Sequence, residues 1–334
     1  MPKVVKRDML PLTEYDYIIV SYSGGKDSVA CYLQLLEQGV DPSRIELWHN
    51  HVDGAPGSEL FFDWPITEAY CRAFAESFGS QLYFSWREGG INREMHRDNT
   101  PTAGVTFEHH TDEGEFTTTA LVGSPQAKPG IRRKFPQVTA NLSQRFCSAA
   151  AKIDVASRAI TNQPRFKGKQ TLFITGERAQ ESTARANYNI TESHRNDVKS
   201  RFIDAWRPVH SWDERAVWDI MQRHNVRAHP AYELGFGRVS CFNCIFASKD
   251  QQASIKVLDP ERFEWVCSKE EEFGFTIQRK DSWRETAPKG TPYPAILANP
   301  EIAAMAMSKD YHVNIRPTKW TLPAGAFGEA TGPT

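Results

Sequence analysis

The chain has 334 residues, 40% hydrophobic and 24% charged, an ordinary composition for a soluble globular protein of one large domain or two smaller ones. Forty basic residues nearly cancel 41 acidic ones, for a formal net charge of −1, so global charge announces neither a nucleic-acid nor a membrane partner. No apolar run approaches the ~20 residues of a membrane helix, the N-terminus lacks the apolar core of a secretory signal, and six cysteines are too few for a disulfide scaffold. Secreted, membrane-spanning and disordered classes are excluded on these grounds, and a reducing, cytoplasmic setting is expected.

The first element in chain order is a β-branched and aromatic run over residues 17–22, which reads as a buried strand. Ser23-Gly24-Gly25 breaks it, and Val29, Ala30, Leu33, Leu35 and Leu36 follow at helical spacing until Gly39. A second strand is predicted over 45–51, a helix opened by Pro65 over 65–78, and a third strand over 81–85. Residues 89–146, rich in Gly, Thr, Pro and Asn, interrupt this alternation as an insertion with a hairpin within 105–120. Regular signals return with a helix over 148–161 and strands over 171–175 and 202–206. Ser211 and Glu214 read as a capping box for a helix with Val217, Ile220 and Met221 on its apolar stripe. Asp259-Pro260 opens another helix to about 273, and the last 50 residues read as loose surface or a partner arm. Strands alternating with helices imply a parallel sheet with helices on both faces. We expect an α/β nucleotide-binding domain over 1–250, with 89–146 inserted, and a helical or irregular region over 251–334.

Residues 23–28, Ser-Gly-Gly-Lys-Asp-Ser, are the most informative segment. A loop between a buried strand and a helix aims backbone N–H groups and the positive helix end at one point, which suits a phosphate. Gly24 and Gly25 admit close approach of an anion, Ser23 and Ser28 add hydroxyls, and Lys26 adds charge. Asp27 replaces the Ser or Thr of a Walker A loop and makes sense as a carboxylate for Mg²⁺. The competing reading is a tight turn without a ligand.

A second run, Gly176-Glu177-Arg178-Ala179-Gln180-Glu181-Ser182-Thr183-Ala184-Arg185, follows a strand end. Arg178 and Arg185 share one face if a helix starts near Ala179, and both suit bidentate anion contact. The alternative for Arg185 is an i,i+4 ion pair with Glu181. His51 and Asp53, ending the second strand, either meet a ribose or adenine or make the turn before Gly54. From 116 to 153 there is no acid, while Lys128, Arg132, Arg133, Lys134, Arg145 and Lys152 give a local charge of +6. This reads as a solvated loop or as a positive wall for a nucleotide or nucleic acid. Cys31 and Cys71 sit among apolar helix residues, whereas Cys241-Phe242-Asn243-Cys244 is a Cys-x-x-Cys chelate. With Cys147 and Cys267 it offers four thiolates, suited to Zn²⁺ or a [4Fe–4S] cluster; the alternative is a metal-free set.

Residues 23–28 resemble the SGGxDS motif of the PP-loop ATP pyrophosphatase superfamily. The 176–185 run, Trp206-Arg207-Pro208-Val209, and the stretch from His229 to Cys241 are similar to the phosphoadenosine phosphosulfate (PAPS) reductase family within it. The resemblance spans about 15–250. It implies a Rossmann-like, adenine nucleotide alpha hydrolase-like fold that binds ATP or a related adenine nucleotide with Mg²⁺. Residues 23–28, His51, Asp53, Gly176, Arg178, Glu181, Ser182 and Arg185 would form the site. It also implies cleavage between the α and β phosphates to activate an acceptor, and tilts the cysteine reading towards iron–sulfur, as in relatives of sulfur insertion. The chain departs from true PAPS reductases in having no cysteine after Cys267 to attack a sulfonate. Three readings follow: an adenylating enzyme, a sulfonucleotide reductase using a thiol such as Cys267, and a non-catalytic nucleotide-binding or DNA-associated protein.

Overall fold

The structure, a computed structural model, describes residues 4–111, 113–123, 127–239 and 241–328. The basic stretch and the C-terminal region expected above therefore lie within it, apart from 124–126 and 329–334. Eight strands form one sheet: β1 (Tyr17–Ser21), β2 (Ile45–His51), β3 (Gln81–Arg87), β4 (Val105–His110), β5 (Phe116–Leu121), β6 (Gln170–Ile174), β7 (Thr191–Ser193) and β8 (Phe202–Trp206). Their order is β5-β4-β3-β2-β1-β6-β8-β7. The run from β3 to β8 is parallel, and the β4–β5 hairpin and β7 add antiparallel edges. The chain thus leaves β1 towards β2 and β3 and returns on the other side as β6 and β8. This is the Rossmann-like switch, and it opens a crevice at the carboxyl ends of β1 and β6.

The helices are α1 (Lys26–Glu37), α2 (Thr67–Phe78), α3 (Gly90–Met95), α4 (Phe146–Ser148), α5 (Asp154–Thr161), α6 (Thr183–Ala186), α7 (Glu214–Arg223), α8 (Pro230–Glu233), α9 (Lys249–Leu258), α10 (Pro260–Phe273), α11 (Trp283–Thr286), α12 (Pro294–Ala298) and α13 (Pro300–Ala306). Side-chain alternation in β1 explains why both faces are covered. Ile18 and Val20 pack with residues of α1, α2 and α7. Ile19 packs on the other face with Val155, Ala159 and Ile160 of α5. A second core joins Phe62, Ile91, Phe135 and Phe146 to Ile255, Phe263 and Trp283, so α9, α10 and α11 pack on the loops that follow β2 and on the insertion.

Two local expectations change. The cap of α7 is Asp213, whose carboxylate accepts the Ala216 N–H at 2.8 Å; Ser211 lies too far upstream, because the helix starts at Glu214. The described part of the last 50 residues, up to 328, carries α12 and α13 and then an irregular stretch that is fixed rather than loose. Ile315 is buried in the first core, the Trp320 indole donates to the Val226 carbonyl, and Gly325 N donates to the Tyr232 carbonyl at 2.7 Å.

Candidate functional site

The 23–28 loop joins the end of β1 to the first turn of α1. Gly24 takes φ +77°, where a Cβ would strain the backbone and sit 3.3 Å from both Cys71 Sγ and the Tyr70 ring. Ser28 Oγ donates to the Gly25 carbonyl at 2.8 Å, and Gly25 N donates to Ser23 Oγ at 3.3 Å. The loop is held from beneath by residues remote in sequence. Lys26 N donates to Tyr232 Oη at 3.0 Å, and the Lys26 ammonium, only 2% exposed, donates to the Gly237 carbonyl at 3.0 Å. Glu214 lies 3.6 Å from that ammonium and the Tyr232 ring 5.3 Å from it. Lys26 therefore supports the loop from the interior.

Asp27 faces the second motif. Arg178 Nε donates to Asp27 Oδ1 at 2.6 Å, and Asp27 Oδ2 is 4.0 Å from Lys26. Burial pushes the Asp27 carboxyl up, but the Lys26 and Arg178 cations outweigh it and hold the group below its ordinary value. Gly176 permits this approach: a Cβ there would lie 3.0 Å from the Asp27 backbone carbon and oxygen. Arg178 takes Oδ1, so Oδ2 is the Asp27 oxygen that would suit Mg²⁺, a cation that prefers one or two carboxylates plus phosphate oxygens.

Arg178 and Arg185 do not share a helix face. A short 3₁₀ turn, Ala179–Glu181, follows Arg178, and Ser182 is extended (φ −168°, ψ 158°) before capping α6 through its hydroxyl, which accepts the Arg185 N–H at 3.2 Å. The break sends Arg178 to Asp27 and lets Arg185 pair with Glu181, the ion pair the spacing allowed. His51 and Asp53 both point into the interior. His51 packs on Phe84 and lies 3.5 Å from Glu68, and burial lowers its imidazole to about 2. Asp53 accepts the Phe62 and Asp63 N–H groups at 3.0 and 2.7 Å and so ties the chain after β2 to the loop before α2; burial raises its carboxyl to about 7.

A cavity of about 680 Å³ opens at the carboxyl edge of the sheet, where Ser21, Asn50 and Thr175 end their strands. Its walls include Glu177, Ser182 and Arg185 on one side and Arg145, Cys147, Lys152, Cys241 and Cys244 on another. Residues 24–28 and Arg178 border this crevice in sequence without lining it. Three cysteines are thus brought together. Burial pushes the Cys147 thiol up to about 11, with Cys244 the next influence, and raises Cys241 further above the ordinary range. Lys152 lies against the same sulfurs, and Cys241 is the main influence raising its ammonium.

Cys267 is elsewhere. It is 1% exposed in α10, packed in the second core, and its charged neighbours are Arg284, Glu264, Glu270 and Glu271. Spacing alone could not separate it from the other three. Among the described residues no three His, Cys, Asp or Glu side chains converge as ready metal ligands. A closed four-thiolate site therefore does not fit; the residues offer at most three thiolates, and a metal would have to displace their protons.

The basic insertion is also partly neutralised. Arg132 donates to Glu94, 1% exposed, at 2.8 Å, and Arg133 lies 3.5 Å from Asp98 and 3.8 Å from Glu272. Arg145 and Lys152 are the insertion cations that reach the cavity. They enter on a continuous helical segment in which a π-turn, Ala149–Ile153, separates α4 from α5; such turns often mark functional sites. Sequence reasoning did not single out Tyr232, Glu214 and Gly237 as the supports of the loop. The only signal for them was the aromatic and acidic character of the 206–236 stretch.

Residues 123–247 match the family model described as phosphoadenosine phosphosulfate reductase domain. The chain is 27% identical over 257 residues, 75% of its length and 73% of the relative's, to an uncharacterized 37.8 kDa protein in gpa 5′ region of Escherichia phage 186. It is 26% identical over 102 residues to the adenosine 5′-phosphosulfate reductase of Neisseria meningitidis, covering 30% of this chain and 37% of that one. Among solved structures it is similar to phosphoadenylyl-sulfate reductase from Candida auris in a phosphate complex, with TM-score 0.37 and 14% identity over 67% of this chain and 81% of that one. No helix among the described residues is long and apolar enough to cross a membrane. Residues 123–247 thus resemble a phosphoadenosine phosphosulfate reductase domain; the 176–185 run lies inside that match and the 23–28 loop lies before it.

Proposed function

We propose that the chain is an enzyme that binds ATP, or a related adenine nucleotide, across the carboxyl edge of the sheet and cleaves it between the α and β phosphates to activate an acceptor for sulfur transfer. The reading rests chiefly on one juxtaposition. The glycine loop follows closely on Ser21, the last residue of β1, and Ser21 lines the cavity that carries Cys147, Cys241 and Cys244. In this reading the loop amides and the Ser23 and Ser28 hydroxyls hold the departing pyrophosphate. Mg²⁺ supplies charge neutralisation there when bound, with Asp27 Oδ2 as its carboxylate. Arg178 fixes the Asp27 rotamer, and Lys26 holds the loop from below. Arg185, at the cavity wall, turns from Glu181 towards the α phosphate or the acceptor. The thiols are the face turned towards the sulfur chemistry and, once their side chains turn together, would serve as ligands of an iron–sulfur cluster or zinc. A nucleic-acid acceptor would approach along the 128–152 segment, and a reducing compartment such as the cytoplasm suits the six free thiols.

The sulfonucleotide reductase reading draws on the Neisseria relative, but Cys267, the thiol that reading would use, is 1% exposed in the second core, which favours adenylation. The test is to incubate the protein with α-labelled ATP, Mg²⁺ and candidate acceptors, and separately with phosphoadenosine phosphosulfate and a thiol reductant. Release of AMP and pyrophosphate, lost in Asp27→Asn, supports adenylation. Sulfite release assigns the chain to the reductases, and ADP as the only product rejects α–β cleavage.

A further inference from the structure

Arg145 lines the cavity, and the reading above gives it no contact of its own. It directly precedes Phe146 and Cys147, and its guanidinium lies 5.9 Å from the Phe246 ring, two residues beyond Cys244. It therefore stands over the thiol side of the cavity. Its Nε and Nη1 are buried, and among the described residues neither has a hydrogen-bond acceptor. The carboxylates of the cavity wall lie beside another cation, Glu177 and Glu192 standing 3.3 and 2.9 Å from Arg207. Two buried guanidinium nitrogens without acceptors are costly, and the planar fork matches two oxygens of a phosphate.

We propose that Arg145 anchors a second oxyanion subsite on the thiol side of the cavity, separate from the 23–28 loop, which holds a phosphate group of the acceptor beside Cys147. This rests on the reading that an adenine nucleotide occupies the same crevice. The acceptor is thereby a phosphate-bearing molecule, either a small nucleotide or a nucleic-acid strand, which share this group.

The experiment is calorimetric titration of the full chain with AMP, adenosine 3′,5′-bisphosphate and a short oligothymidylate, on wild type, Arg145→Ala and Arg145→Lys. We expect one of the two phosphate-rich probes to bind wild type more tightly than AMP by about tenfold or more, the range of a charged hydrogen bond. Arg145→Ala removes that preference, Arg145→Lys restores part of it, and AMP affinity stays within about twofold. A preference for the oligonucleotide identifies a strand, with the salt slope falling by roughly one in Arg145→Ala; a preference for the bisphosphate identifies a small nucleotide. Equal binding of all three probes by wild type, or an unchanged preference in Arg145→Ala, overturns the subsite. Failure of AMP alone to bind counts instead against the nucleotide reading, because the oligonucleotide arm still reports on Arg145. A thermal melt guards against misfolding: removing an unpartnered buried cation leaves Tm unchanged or higher, and a clear fall shows that the guanidinium has a partner in the free protein, which also overturns the proposal.

Discussion

Replacing Asp27 with Ala removes the carboxylate between two buried cations. Lys26 is 2% exposed and Arg178 4% exposed, and with Asp27 and Glu214 they form a charge-balanced group of four. The substitution leaves that group with one excess positive charge. Breaking a buried pair by removing one partner costs about 3–5 kcal/mol. Here each cation keeps a second acceptor, Gly237 O for Lys26 and Gln180 Oε1 for Arg178. The Asp27 side chain is also 21% exposed. We therefore expect a loss near the lower end, about 2–3 kcal/mol. Asp27→Asn keeps an acceptor for Arg178 Nε and should lose about 1 kcal/mol. Because the folded carboxyl lies below its ordinary 3.8, this contribution is present above that pH and fades as pH falls through the lower folded value. Urea unfolding followed by tryptophan fluorescence at pH 7 measures these losses. A double cycle with Arg178→Met should show the paired loss smaller than the sum of the single ones. An Asp27→Ala protein within about 0.5 kcal/mol of wild type, with no coupling to Arg178, refutes the argument that Asp27 neutralises the loop's cations.

Three further expectations test other parts of the site. Gly176→Ala places a Cβ 3.0 Å from the Asp27 backbone, so it should cost about 1–3 kcal/mol and weaken ATP binding more than any surface change, as melting and titration would show. Asp53 holds a proton up to about pH 7 when folded, against 3.8 unfolded, so its effect on stability worsens as pH rises between these values. The stability of wild type relative to Asp53→Asn should then fall by roughly 2–4 kcal/mol from pH 4.5 to 7.5, and a constant difference would show that the carboxyl titrates normally. Any iron or zinc found by elemental analysis should survive Cys267→Ser and disappear in Cys147→Ser, Cys241→Ser or Cys244→Ser; equal loss in all four would bring Cys267 back to the site.

The sequence made most of the scaffold legible because its signals are local. The β1–loop–α1 unit follows from a β-branched run, two glycines and a helical stripe, and the hairpin after β3 falls on the 105–120 stretch of the long insertion. Contacts made across long separations were not legible. Glu94 neutralises Arg132 from 38 positions away, so a stretch that reads as +6 presents mainly Arg145 and Lys152 to the cavity. The fate of the 178–185 run turned on the extended backbone of Ser182, which no periodicity announces. Cys267 lies in a helix as regular as any other, and only packing shows that its side faces Phe263 and Val266 in the second core. The Lys26 ammonium reads as a phosphate ligand by position, yet the aromatic ring of Tyr232 and the Gly237 carbonyl draw it inward.

The central claim is that an adenine nucleotide lies across the switch crevice with its phosphates on residues 23–28. A crystal structure of the protein with Mg²⁺ and α,β-methylene ATP tests it most directly. The account predicts phosphate oxygens within hydrogen-bonding distance of the loop amides and the Ser23 and Ser28 hydroxyls, the metal on Asp27 Oδ2, and the rest of the nucleotide in the cavity below Cys147. A nucleotide bound away from the loop, or a loop that stays closed on Tyr232 and Gly237 with no ligand at saturating concentration, would contradict it.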